Sequence, residues 1–173
     1  MQFYSLAVLI RQVLLSRKLN ASSLVHLLDR YPSLAGSIRS ITFGTGISAQ
    51  SQADIISRTT SLNSVHGVSA SGTLPLLVEK GISQGLLHLG IASLKGTPLR
   101  FDLPLQHFAA LTSLLVDVEP RFRTVQDSNS PVIQISSLTK LAVESCSTSI
   151  INMLQRAMFV DIVTSFYGAD MLS

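Results

Sequence analysis

The side chains in this sequence that could do chemistry are few and scattered. His66, His88 and His107 are the residues of the second half that could suggest a metal cluster. His88 and His107 fall on different predicted elements, and no carboxylate stands at ligand spacing from either. Ser137-Leu138-Thr139-Lys140 fits S-x-x-K, in which a lysine one helical turn on activates a serine. The S-D-N and K-T-G elements that accompany it are absent, so a helix-capping serine and a solvated lysine account for the same letters. Gly44-Thr45-Gly46-Ile47-Ser48-Ala49 fits G-x-G-x-x-A between a possible strand and a possible helix. A dinucleotide site of that kind needs an acid about 20 residues further on. Nothing acidic lies between Asp54 and Glu79, so an ordinary glycine turn is the expectation. Cys146 is the one cysteine, which excludes an internal disulfide and any CxxC zinc site and favours a reducing compartment. It reads as a small core residue. No residue is assigned to catalysis or to a metal, no cofactor or small-molecule substrate is expected, and binding is favoured over chemistry.

Composition points the same way. Of 173 residues, 46% are hydrophobic and only 13% charged, leaving little polar surface to cover a monomer, which favours a buried partner interface. The net charge of +3 comes from scattered basic residues; Arg11, Arg17, Lys18, Arg121 and Arg123 form the candidate basic surface. No segment forms the basic stripe that nucleic-acid binding needs, and no apolar run is long enough to span a bilayer. The acid-free stretch before Asp29 resembles a mitochondrial presequence, but its apolar pattern continues into Leu24–Leu28 and suits a first amphipathic helix better. A cytoplasmic location is expected, with a mitochondrial one as the alternative.

The elements follow from apolar spacing. Phe3, Leu6, Ile10, Val13 and Leu14 predict a helix, and Leu24, Leu27 and Leu28 a second, ended by Tyr31-Pro32. Residues 37–43 fit a strand or a helix, 48–57 a helix, and the small polar stretch 61–72 a linker or flat strand. Leu87, Leu89 and Ile91 alternate with His88, Gly90 and Ala92; Lys95-Gly96 makes a turn; Leu99, Phe101 and Leu103 alternate again. These predict an antiparallel hairpin over about 86–103. At Pro104 the period changes, and Leu105, Phe108, Leu111, Leu115 and Val118 predict a covering helix over about 105–118. A C-terminal helix is expected over about 137–166, and nothing is seen to repeat at a fixed period of about 20 to 50 residues.

The expected fold class is therefore α+β: N-terminal helices, a small antiparallel sheet with a covering amphipathic helix, and a C-terminal helix. Its domains would be a mainly helical region 1–60 and an α+β region 61–173. Residues 86–119 resemble the end of a COMM domain, on Phe101, Leu103, Phe108, Leu111 and Leu115. That resemblance implies a non-enzymatic module dimerising through these residues, in a cytosolic scaffold. The expected function is protein interaction or self-assembly, as a homo- or hetero-oligomer. A viral matrix-like or peripheral membrane or ribonucleoprotein-associated structural protein is the alternative.

Overall fold

The computed structural model describes residues 11–69, 72–92, 107–117 and 137–144. Strand and helix alternate along the chain: β1 Gln12–Leu15, α1 Lys18–Arg30, β2 Ser40–Phe43, α2 Ala49–Ile56, β3 Ser64–Ser69, α3 Thr73–Glu79, β4 His88–Ala92, β5 Ser113–Asp117 and β6 Lys140–Glu144. Short 3₁₀ turns at Pro32–Ser37 and Ile82–Gly85 lead into β2 and β4. The strands form one six-stranded sheet, every neighbouring pair parallel, in the order β1-β2-β3-β4-β5-β6.

This architecture replaces the α+β expectation. The predicted hairpin over 86–103 does not form: β4 pairs in parallel with β3 on one side and β5 on the other. The predicted covering helix is overturned because residues 113–117 are strand β5. The C-terminal helix is overturned at its start, where residues 140–144 are β6. The first predicted helix gives way to β1 over residues 12–15. For β4 the strand itself is as expected and only its partners differ, since alternation does not report which strand pairs with which. For the other three the physical reason is common. These segments are short and buried on one face, and in a short apolar run a helical and an extended pattern are easily confused.

The strand–helix alternation is Rossmann-like, but the winding is single. A doubly wound sheet reverses its strand order and opens a ligand crevice at the reversal. Here the order never reverses among the described strands, and with right-handed crossovers every helix then packs on the same face. Burial agrees. Ile41 and Phe43 of β2, Val65 and Val68 of β3, Leu89 and Ile91 of β4, Leu114 and Val116 of β5 and Leu141 of β6 are buried. They share one core with Ala21, Leu24 and Leu28 of α1, Ile55 and Ile56 of α2 and Leu74 and Leu77 of α3. In α1 the three buried positions recur at three- and four-residue steps, the stripe by which a helix covers a sheet.

The unit repeats, contrary to the expectation of no period. The register-matched first residues Gln12, Ser40, Ser64, His88, Ser113 and Lys140 stand 28, 24, 24, 25 and 27 residues apart. Two residues before five of these strands stands a buried aliphatic residue: Ile38, Leu62, Leu86, Leu111 or Leu138. The backbone repeats too. The carbonyl of Arg11 accepts from the N–H groups of Arg39 and Ser40, at 2.9 and 3.0 Å. The carbonyls of Arg39, Asn63, Leu87 and Thr112 each accept in the same way from the pair that opens the next strand. Such a double acceptor fixes where each strand begins relative to the last. The sequence fragments "IRSITF", "LNSVHG", "LLHLGI", "LTSLLV" and "LTKLAV" are thus copies of one frame, with buried residues at positions 1 and 4 and open-face residues at 3 and 5.

Candidate functional site

The face of the sheet opposite the helices is built by the residues between the core positions. Successive strand residues point to opposite faces, so one row across the sheet runs Gln12, Ser40, Ser64, His88, Ser113 and Lys140. The next holds Leu14, Thr42, His66, Gly90, Leu115 and Ala142. Apart from Leu115, these side chains are small, polar or exposed: Gln12, Leu14, His88 and Lys140 are exposed, while Ser40, Thr42, Ser64, His66, Ser113 and Leu115 are half-buried. Such a face lends little to the core, and its side chains can change without disturbing the repeat.

One part of the face is held in an unusual conformation. Between Val65 and Val68 the pairing of β3 with β4 shifts, a β-bulge in which His66 and Gly67 together oppose Gly90. Gly67 has φ +71°, and a Cβ there would lie 2.0 Å from the carbonyl oxygen of Phe43, so no other residue fits. The bulge is braced from the helix side. Gln52 of α2 is 1% exposed; its Nε2 donates to the Gly67 carbonyl at 3.0 Å. Its Oε1 accepts from the Ser69 N–H at 3.0 Å and from the Thr73 hydroxyl at 2.7 Å. A buried amide thereby links α2, β3 and α3 at the bulge.

The bulge also sets His66. An added Cβ on Gly90 would come within 2.6 Å of Nδ1 of His66 and 3.1 Å of its Cα, so the imidazole lies over the bare backbone of Gly90. Burial pushes the His66 pKa below the ordinary histidine value, and the neighbouring His88 on β4 lowers it further. His66 and His88 thus form an imidazole pair on adjacent strands, amid the hydroxyls of Thr42 and Ser64. Among the described residues no group of three or more His, Cys, Asp or Glu side chains could hold a metal ion.

The described carboxylates are kept off the first two rows of the open face, whereas cations occur on both sides of the sheet, Lys18 and Arg30 of α1 among them. The first two rows of the open face carry His66, His88 and Lys140 and no carboxylate. The described acids lie elsewhere: Asp29, Asp54 and Glu79 belong to helices, and Asp117 and Glu144 are the register-paired last residues of β5 and β6. Asp29 is engaged by the guanidinium of Arg58, Nε to Oδ1 at 2.6 Å and Nη2 to Oδ2 at 3.3 Å. That hydrogen bond lowers the Asp29 pKa.

The residues singled out in the sequence are dispersed. Phe108 and Leu111 are fully buried in the core, whereas Leu115 is half-buried on the open face. Arg11, Arg17 and Lys18 are exposed. Phe101, Leu103, Arg121, Arg123 and Cys146 lie outside the described residues. The glycine stretch 44–49 does join a strand to a helix, but its features have structural explanations. An added Cβ on Gly44 would sit 3.1 Å from the Leu15 carbonyl oxygen, and Ser48 caps α2 by accepting from the Ser51 N–H at 3.2 Å. Ser137 donates to the Leu111 carbonyl at 2.8 Å, and Lys140 opens a strand, so the S-x-x-K residues do not share a helical turn. His26 and His107 are exposed and stand apart from the imidazole pair.

The open face escaped the sequence reading because its residues are unremarkable singly. The signal that locates it is the alignment of the six strand starts. Among the described residues no helix is long and apolar enough to cross a membrane. No family model, curated protein or solved structure matches the chain.

Proposed function

We propose that this chain is a non-enzymatic docking module, a segment of a leucine-rich-repeat-like solenoid that takes a protein partner on the open face of its parallel sheet. The observation that carries the reading is the repeated frame. Units of 24 to 28 residues place a buried aliphatic residue before five of the six strands, and the described helices all share the core on one side of the sheet, which leaves its other face free of them. In that arrangement the core positions keep the scaffold and the alternate positions supply specificity. The absence of carboxylates from its first two rows and the imidazole pair give this face a chemical character distinct from the helical side.

The test uses a partner first recovered from the native source with the full chain and then purified. Ser113→Tyr places bulk on the open face between His88 and Lys140, and Gln50→Tyr places it at an exposed site on α2. Ser113→Tyr is expected to weaken binding roughly tenfold or more, as for bulk that blocks an interface contact, while Gln50→Tyr leaves it unchanged. The reverse pattern would place the interface on the helices and sink the reading.

A further inference from the structure

We infer that the occupant of the open face is an acidic, extended polypeptide segment that runs across the strands and sets its carboxylates against His66, His88 and Lys140. This rests on the docking reading above and names the chemistry of the partner.

Three observations carry it. The two rows nearest the strand starts hold three side chains able to be cationic and no carboxylate, so a negatively charged chain meets complementary charge there. Asp117 stands at the far end of β5, about 13 Å along the strand from the first row, and disfavours an acidic segment at that end. That carboxylate thereby favours a crossing near the strand starts. The hydroxyls of Ser40, Thr42 and Ser64 can donate to a carboxylate or to a peptide carbonyl without adding charge of either sign. The size also fits. Six strands about 4.8 Å apart span about 24 Å, the length of roughly seven extended residues.

A proton link follows from the geometry around His66. The titratable group brought against it is His88 of β4; β2 presents Ser40 and Thr42, and no carboxylate stands beside it. Without a partner, burial favours the neutral ring. A carboxylate seated over the pair favours the charged one, so docking takes up a proton and tightens as pH falls from about 7.5 toward 6.

The experiment selects a display library of random peptides about seven residues long on the immobilised full chain. The expected result is enrichment of Asp- and Glu-rich peptides that bind more tightly at about pH 6 than at pH 7.5. Their affinity should fall roughly tenfold or more on His88→Glu/Lys140→Glu, with the far-ultraviolet circular dichroism unchanged. If the charge-reversed protein does not fold, His88→Gln/Lys140→Gln should show a smaller loss, about threefold, in the same direction. Enriched peptides that are neutral or basic, yet are lost on Ser113→Tyr, would overturn the acidic occupant and leave the docking reading standing. Peptides that bind Ser113→Tyr as well as the unaltered chain would overturn both. Displacement of the acidic peptides by a short single-stranded DNA, with a steep salt dependence, would reassign the face to nucleic acid and overturn the inference.

Discussion

Replacing Gln52 tests whether the bulge that orients His66 is held from behind. Gln52→Leu nearly conserves volume, so little cavity is created and the loss is that of three hydrogen bonds. Two of their donors, the Ser69 N–H and the Thr73 hydroxyl, belong to buried residues and would lose Gln52 as acceptor. Each buried polar group deprived of its partner costs about 1–3 kcal/mol, and the buried leucine recovers part of that. A net loss of about 2–4 kcal/mol follows. With a urea dependence of about 2 kcal/mol per molar for a domain of this size, the midpoint should fall by roughly 1–2 M. The chain has no tryptophan, so far-ultraviolet circular dichroism is the suitable probe. Gln52→Glu sharpens the test. A protonated carboxyl can still donate to the Gly67 carbonyl and accept from the other two groups, whereas an ionised one can only accept. Burial raises the folded-state pKa of such a glutamate above its unfolded value, so the stability it retains is fully present below the unfolded pKa, near 4.3, and is lost as pH rises through the folded pKa. A midpoint for Gln52→Leu within about 0.2 M of the unaltered chain, or a Gln52→Glu variant whose deficit ignores pH, would refute the reasoning.

Gly90→Ala should push the His66 ring off its seat, because the added Cβ would come within 2.6 Å of Nδ1. In an NMR titration the His66 pKa should then rise toward the ordinary histidine value, and an unchanged titration would contradict the packing. The lowered His66 pKa also has a stability consequence. The folded state binds fewer protons than the unfolded one below the unfolded value of about 6.5, so this contribution is fully present above that pH and declines as pH falls toward the folded pKa. His66→Asn should therefore lose less stability than the unaltered chain between about pH 7.5 and 5, and equal losses would argue against a half-buried neutral ring. Phe108→Ala should cost about 3–5 kcal/mol in urea unfolding, since Phe108 is fully buried before β5. A cost under about 1 kcal/mol would remove it from the core.

Parts of this architecture are visible in the letters alone. Leu24 and Leu28 mark the buried stripe of α1, Ser48 marks the start of α2, and the alternation around Leu89 and Ile91 marks β4. What local pattern does not reveal is the partner of each strand. Leu89 and Ile91 look alike in a hairpin and in a parallel sheet, and Lys95-Gly96 together with Phe101 made a hairpin the nearer solution. Leu111 and Leu115 fit a helical stripe, yet in the sheet Leu111 precedes a strand and Leu115 faces away from the core. The repeat is hidden because its interval varies from 24 to 28 residues and only the aliphatic positions recur. The imidazole pair is less legible still. His66 and His88 are distant in the chain and meet only through the β3–β4 pairing, and the role of Gln52 depends on a bulge that "SVHGVS" does not announce.

The central claim is that partners dock on the open face of the sheet. It is tested most directly by placing a photo-crosslinking amino acid at single sites of the full chain in its native cells. Adducts are expected from Thr42 and Ser113 on the open face, and none from Ser23 of α1 or Gln50 of α2, which are exposed on the helical side. Adducts from Ser23 and Gln50 with none from Thr42 or Ser113 would contradict the account.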